Sequence, residues 1–331
     1  MKKLINGIDD IVTEMLDGMA CAYPQYIKRL DGFDVVVRAN GSKGKVALVS
    51  GGGSGHEPAH GGFVGKGMLD AAIVGAVFTS PTPDQVYEAI RAADGGKGVL
   101  LIIKNYTGDV MNFEMAADMA RDDGIEVEQV VVADDVAVEN STWTTGRRGI
   151  AGTIFVHKIA GACAEAGGSL ADVKRVAGKV IENVRSMGMA LNACTVPAVG
   201  KPSFDLTEDE IEIGIGIHGE PGVNREQISS ADAIVDKLLE KIFAEGIYGA
   251  GDEVAVIVNG MGGTPLMELY IANRHLSEVL HERGIMIHKT MVGNYMTSLE
   301  MEGFSITLLK LDDELKALLD APCDTPAWAQ V

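Results

Sequence analysis

Short runs rich in aliphatic and β-branched residues alternate with helix-period segments along the whole chain, and this alternation constrains the fold most. Strands are predicted at KVALVS (45–50), AAIVG (71–75), GVLLIIKN (98–105) and VEQVVVAD (127–134). Between them the pattern predicts helices over 83–94, with Thr82 as N-cap and Pro83 at the first helical position, and over 110–123. From about 148 to 188 the sequence turns helical and alanine-rich with no strand run, which reads as a bridge. A second block follows, with strands at 210–218, 253–260 and 304–311 and helices over 226–245 and 265–284. Strands alternating with helices give an α/β fold of two domains, 1–185 and 186–331, each a mixed sheet covered by helices with ligands bound at strand carboxyl ends. A length of 331 residues suits two such units.

Charge and composition exclude several functions. With 28 basic against 47 acidic residues the net charge is −19, so no basic footprint for nucleic acid is expected. The longest apolar runs, such as VLLII at 99–103, are far shorter than the ~20 residues of a membrane span, and Asn6, Asp9 and Asp10 interrupt any signal-like start. A cytoplasmic protein without membrane contact is the expectation. Cys21, Cys163, Cys194 and Cys323 form no CxxC pair and no zinc-ligand spacing, and are read as reduced, mostly buried thiols.

Three motifs could carry chemistry. GGGSGHEPAHGG (51–62) directly follows a strand, and its consecutive glycines let backbone N–H groups approach a small polar ligand, with His56 and Glu57 in the same turn. The bland alternative is a tight loop whose glycines serve packing. No Gly-Lys pair is followed by Ser or Thr, so the loop is not a nucleotide-binding P-loop. KNYTGD (104–109) leaves a very apolar strand. Lys104 can bind an oxygen there and Asp109 can accept a proton from a hydroxyl, unless Asp109 or Thr107 merely caps the next helix. GIGIHGEPG (214–222) fits GxGxxG by letters through Gly214, Gly216 and Gly219. Its glycines lie inside a strand pattern, and Pro221 and Gly222 oppose the required helix, so the dinucleotide reading is rejected. What remains is His218 at a strand end, and a lone histidine is more often an ordinary hydrogen-bonded residue than a catalyst. His157, His275, His281 and His288 show no metal spacing and are read as structural.

Taken together, GGGSGHEP, FTSPTPDQV (78–86), KNYTGD, ADDVAV (133–138), GRRGIAGT (146–153), CTVPAVGKPSF (194–204), GIGIHGEPG and GFSITLLKL (303–311) resemble the dihydroxyacetone kinase family, specifically its dihydroxyacetone-binding subunit. The resemblance implies covalent capture of dihydroxyacetone as a hemiaminal on His218. It implies Asp109 as the base for the attacking hydroxyl, His56 as assisting acid or base, and Gly53, Ser54, Gly55 and Lys104 as holders of substrate oxygens. It implies no cofactor on this chain: magnesium and ADP or ATP are expected on a separate nucleotide-binding kinase subunit, recharged by a phosphotransferase-system protein from phosphoenolpyruvate. A homodimer is also implied. Two other readings are a kinase subunit for a related ketose or tetrose, and a ligand-loaded coactivator of a transcription regulator that captures the sugar without phosphorylating it.

Overall fold

In the computed structural model residues 2–139, 145–220 and 222–331 are described; Pro221, invoked above, lies outside them. The first half contains α1 (Ile11–Ala22), β1 (Ile27–Arg29), β2 (Val35–Arg38), β3 (Ala47–Ser54), β4 (Ala71–Val77), α2 (Pro83–Ala93), β5 (Val99–Lys104), α3 (Thr107–Asp122) and β6 (Val127–Val132). Its strands form a mixed six-stranded sheet in the order β1-β2-β4-β3-β5-β6, parallel from β4 to β6. Two helices follow, α4 (Thr153–Glu165) and α5 (Leu170–Asn183). The rest comprises β7 (Val184–Asn192), β8 (Glu210–Ile213), β9 (Asn224–Gln227), α6 (Ala231–Phe243), β10 (Glu253–Gly260), α7 (Leu266–Glu282), β11 (Met286–Gly293), β12 (Glu302–Leu311), α8 (Asp313–Asp320) and the short pair β13 (Cys323–Asp324) and β14 (Ala329–Gln330). Its six-stranded sheet runs β11-β10-β12-β7-β8-β9, antiparallel except for β10 with β11.

Alternation along single strands explains the layering. In β5, Val99, Leu101 and Ile103 face α2 and α3, while Leu100 and Ile102 point to the opposite side. In β10, Val254, Val256 and Val258 join the cluster with α6 and α7, while Ala255 and Ile257 point inward. The two inward faces share one core, and α4 and α5 supply its middle. Helix α4 is buried along nearly its whole length, including His157 and Lys158, as a helix between two sheets has to be. Gly161 allows that packing, since a Cβ there would lie 2.5 Å from Met68 Cα. At the start of α2, Thr82 and Gln85 form a capping box ahead of Pro83.

Several sequence expectations need correction. The strand expected over 45–50 continues through Ser54, because Gly51–Gly53 pair with Ile73–Gly75 of β4 at a distance no side chain tolerates: a Cβ on Gly51 would stand 2.5 Å from the Ile73 carbonyl oxygen. Strand β7 occupies part of the segment read as purely helical, and β8 ends at Ile213, so Gly214–His218 form a loop rather than a strand end. Helix α3 starts at Thr107, which places Asp109 inside its first turn. Among the cysteines, Cys194 and Cys323 are buried, Cys163 is half-buried and Cys21 is exposed, with no disulfide.

The halves meet at Asp134. Its carboxylate accepts from the N–H groups of Ile150 (2.7 Å) and Gly152 (2.8 Å) ahead of α4 and from the Ser186 hydroxyl on β7, all of them buried. Removing that acceptor strands two buried N–H donors, each costing on the order of 1–3 kcal/mol. Asp134→Ala is expected to lower the unfolding free energy by about 3 kcal/mol in urea titration, and Asp134→Asn, which keeps one acceptor oxygen, by less.

Candidate functional site

Three carboxyl ends of the parallel strands of the first sheet open on one side, where ligands bind in such sheets. Strand β3 delivers Gly53, Ser54 and the turn to His56, β4 leads to Phe78, and β5 delivers Lys104 and then Asp109 on the first turn of α3. The loop after β8 brings His218 across from the second sheet. A cleft of about 840 Å³ lies between them, and Gly53, Phe78, Tyr106, Asp109, His218 and Glu220 are among its lining residues.

The structure brings His218, His56, Asp109, Lys104, Gly53 and Gly55 close together, with Ser54 next to Gly53 at the end of β3. The His218 ring meets His56 edge-on at 4.7 Å between centroids, Tyr106 at 4.3 Å and Phe78 at 5.5 Å. His56 stacks on Phe78 at 5.3 Å. Lys104 Nζ and Asp109 Oδ2 share the space beside Gly52, 3.2 and 3.4 Å from where its Cβ would be. Gly53 is dictated by the turn that follows β4, since a Cβ would lie 2.5 Å from the Thr79 nitrogen; Gly55, at φ +101°, leaves room for the Phe78 ring. The Gly55 N–H already donates to Glu57 Oε1 (3.0 Å) and its carbonyl accepts from Leu299 N–H (2.7 Å). The space Gly55 leaves, rather than a free backbone group, is what it gives the site. Asp109 does not cap α3; Tyr106 is the N-cap, and the Asp109 carboxylate takes the Ser80 hydroxyl.

Protonation follows from this burial. The His56 Nδ1–H donates to the Thr297 carbonyl at 2.8 Å, which leaves Nε2 as a lone pair. Burial, reinforced by Lys104, holds His56 well below the usual histidine range. Burial first, then His56, Lys104 and Arg148, does the same to His218, so its imidazole is neutral and nucleophilic. Burial raises the Asp109 carboxyl against the opposing pull of Lys104, and lowers the Lys104 ammonium against that of Asp109. Among the described residues, ten buried side-chain atoms lack a hydrogen-bond partner, and six of them belong to Ser54, His56, Lys104, Tyr106, Asp109 and Glu220. Buried polar groups are rarely left unpaired, so such a concentration in one place marks a ligand site.

Sequence reasoning gave no role to Tyr106, Phe78, Glu220 or Arg148. Arg148 is 1% exposed and joins Asp135 (Nε to Oδ2, 2.7 Å) to the Gly214 carbonyl (2.8 Å), with Glu220 at 3.7 Å. The neighbouring Arg147 forms a partly exposed pair with Glu245. The other histidines stay outside the cleft: His157 pairs with His60 at 3.0 Å in the core and is pushed down to about 3 by burial, and His275 and His288 sit in surface carboxylate pairs.

A nitrogen-15 NMR titration of the imidazoles checks these assignments. His56 and His218 are expected to stay neutral as pH falls through the ordinary histidine value of ~6.5. His275 is the internal control. Burial works to lower it, but Asp236, Asp232 and Glu278 outweigh that effect, so it is expected to protonate above that value.

Residues 17–327 match the Dak1 domain family. The chain is 58% identical over 329 residues to the PTS-dependent dihydroxyacetone kinase 1, dihydroxyacetone-binding subunit DhaK, of Listeria innocua, covering 99% of this chain and 100% of the relative. It is 47% identical over 351 residues to the PEP-dependent dihydroxyacetone kinase, dihydroxyacetone-binding subunit DhaK, of Escherichia coli, covering 99% of each. Among solved structures, the dihydroxyacetone kinase operon co-activator Dha-DhaQ superposes with a TM-score of 0.91 at 39% identity, over 98% of this chain and 99% of that one. The dihydroxyacetone kinase of C. freundii superposes at 0.89 and 39% identity, over 99% of this chain and 60% of that one. The chain therefore belongs to the Dak1 domain family, the family of the two kinase subunits just named.

Proposed function

We propose that this chain is the dihydroxyacetone-binding subunit of a dihydroxyacetone kinase, which captures the ketose on His218 and presents its hydroxyl for phosphorylation. The observation that carries this reading is the meeting, in one cleft, of a neutral His218 with Asp109, His56 and Lys104, each of the last three with a buried atom lacking a partner. A neutral imidazole adds to the C2 carbonyl of dihydroxyacetone, and glycerol, of nearly the same size and hydroxyl pattern, has no carbonyl to attack. Covalent capture thereby supplies a discrimination that hydrogen bonds between near-isosteres give poorly. His56 Nε2, beside the ring, can take or return the proton that moves during addition. Lys104, with Gly53 and Ser54 at the end of the neighbouring strand β3, holds the hydroxyl oxygens. Asp109 then accepts the proton of the terminal hydroxyl as its oxygen attacks a phosphoryl group, and burial tunes its basicity upward for that task.

Phosphoryl transfer rests on orientation and charge stabilisation, and the second half of that machinery is assigned to a partner. Among the described residues no group of three or more His, Cys, Asp or Glu side chains is gathered to hold a metal ion. Magnesium and ADP or ATP are placed on a nucleotide-binding subunit. A phosphotransferase-system protein and phosphoenolpyruvate are proposed as the phosphoryl source, supported by the names of the Listeria and Escherichia relatives. A homodimer in the cytoplasm completes the proposal; no described helix is long and apolar enough to cross a membrane.

The similarity to a co-activator favours a second reading, a sensor that captures the sugar without phosphorylating it. Asp109 discriminates between the two, because sensing needs the capture histidine and has no use for a base at the hydroxyl.

With the partner subunit present, Asp109→Asn is expected to keep the adduct in native intact-protein mass spectrometry with dihydroxyacetone in excess and to lower kcat by about 10²- to 10⁴-fold. Full turnover in that variant would remove the base assignment. His218→Ala is expected to show no adduct at any dihydroxyacetone concentration. Because the carboxylate is the active form and its folded pKa is raised, kcat should fall as pH drops through a value above the ~3.9 of an ordinary aspartate. Stopped-rate assays across acidic pH measure it.

A further inference from the structure

The capture histidine sits on a loop, and loops place side chains loosely unless something fixes them. Between Gly214 and Glu220 the chain has left β8 and has no ladder to hold it. Two buried side chains take over that task. Glu220 Oε2 accepts the backbone N–H of His218 at 2.7 Å. Arg148, anchored on Asp135, donates to the Gly214 carbonyl at the start of the loop and stands 3.7 Å from Glu220 Oε1 at its end. Arg148 and Asp135 lie in the segments that follow β6 of the first sheet, whereas the loop comes from the second. The clamp therefore joins the two halves and fixes the ring of His218 relative to the wall that carries His56 and Asp109.

We infer that Glu220, held by Arg148, is a positioning residue for covalent capture, setting the orientation in which the His218 nitrogen meets the substrate carbonyl. The inference rests on the capture reading above. In that step a ring nitrogen forms a bond to C2, the carbonyl π bond breaks onto oxygen, and the proton released from the imidazole ends on that oxygen, so no external acid, base or oxidant is consumed. The approach of the nitrogen to C2 is the part that depends on orientation, and misplacement by ~1 Å costs ~10²-fold in such reactions. Once the bond exists, the substrate itself holds the ring, and the later transfer to the phosphoryl group depends on Asp109.

This predicts a split between capture and turnover. Glu220→Gln keeps the shape and an acceptor but weakens both grips. Gly216→Ala leaves every charge in place and displaces the carboxylate, because its Cβ would fall 1.9 Å from Glu220 Oε1; Gly216 is not in the left-handed region, so its backbone accepts alanine. In both variants, carbon-13 NMR with dihydroxyacetone labelled at C2 should show adduct formation slowed at least ~10-fold. KM should rise by a similar factor, while kcat at saturation with the partner subunit stays within ~3-fold and the melting temperature is unchanged. Wild-type rates of adduct formation in the two variants, or a loss confined to kcat, would overturn the inference. Wild-type protein in the same experiment separates the claims. No adduct there sinks the capture reading and this inference with it, whereas normal adduct in wild type and in both variants sinks only the role of Glu220.

Discussion

Two adjacent aspartates at the end of β6 hold the molecule together. Asp134 receives the N–H groups ahead of α4 and the Ser186 hydroxyl, and the Ser186 hydroxyl is bonded in turn to Thr307 of β12. Asp135 receives Arg148, which reaches the loop that carries His218. The backbone joins in, with Ser186 N–H on the Asp134 carbonyl and Val136 N–H on the Ser186 carbonyl. This seam, Asp134 held by buried N–H and hydroxyl donors and Asp135 by Arg148, is rigid because a displacement would strand a buried polar or charged group in a low-dielectric interior. The proposed active cleft needs this rigidity, since its walls come from different sheets.

The same low-dielectric interior sets the chemistry. Burial holds His56 and His218 well below the usual histidine range, raises Asp109 and lowers Lys104. In the proposed reaction the neutral imidazole attacks a carbonyl and a carboxylate of raised basicity takes a hydroxyl proton. The unpaired atoms around the cleft are the counterpart of this arrangement: Lys104 Nζ, His56 Nε2 and Asp109 Oδ1 have polar demands that the protein itself leaves open. Packing supplies the frame, with α4 and α5 filling one core between two sheets.

How legible the site was depended on the residue. Gly53, His56, Lys104, Asp109 and His218 stand in motifs whose residue types already suggest polar chemistry at strand ends. Arg147 and Arg148 show the opposite case. Side by side in a polar segment they read alike, yet one pairs with Glu245 near the surface and the other is buried against the loop that carries His218. Tyr106 and Phe78 read as ordinary aromatics, and only their edges against His218 give them a place in the site.

The sequence by itself determined the α/β class, seven of the twelve strands of the two large sheets and the strand-end position of Gly53 and Lys104, because hydrophobic period and glycine spacing are local properties of the chain. It misjudged where β3 and β8 end and overlooked β1, β2, β7, β9 and β11, since strand limits depend on partners distant in sequence: Gly51 continues a strand because Ile73 lies beside it, and Val184 begins one because Leu309 does. Tertiary structure alone decided that the helical bridge is the shared middle of the core, that Glu220 and Arg148 grip the histidine loop, and which histidines are neutral. Burial and long-range pairing set those properties, and neither is written in the spacing of residues along the chain.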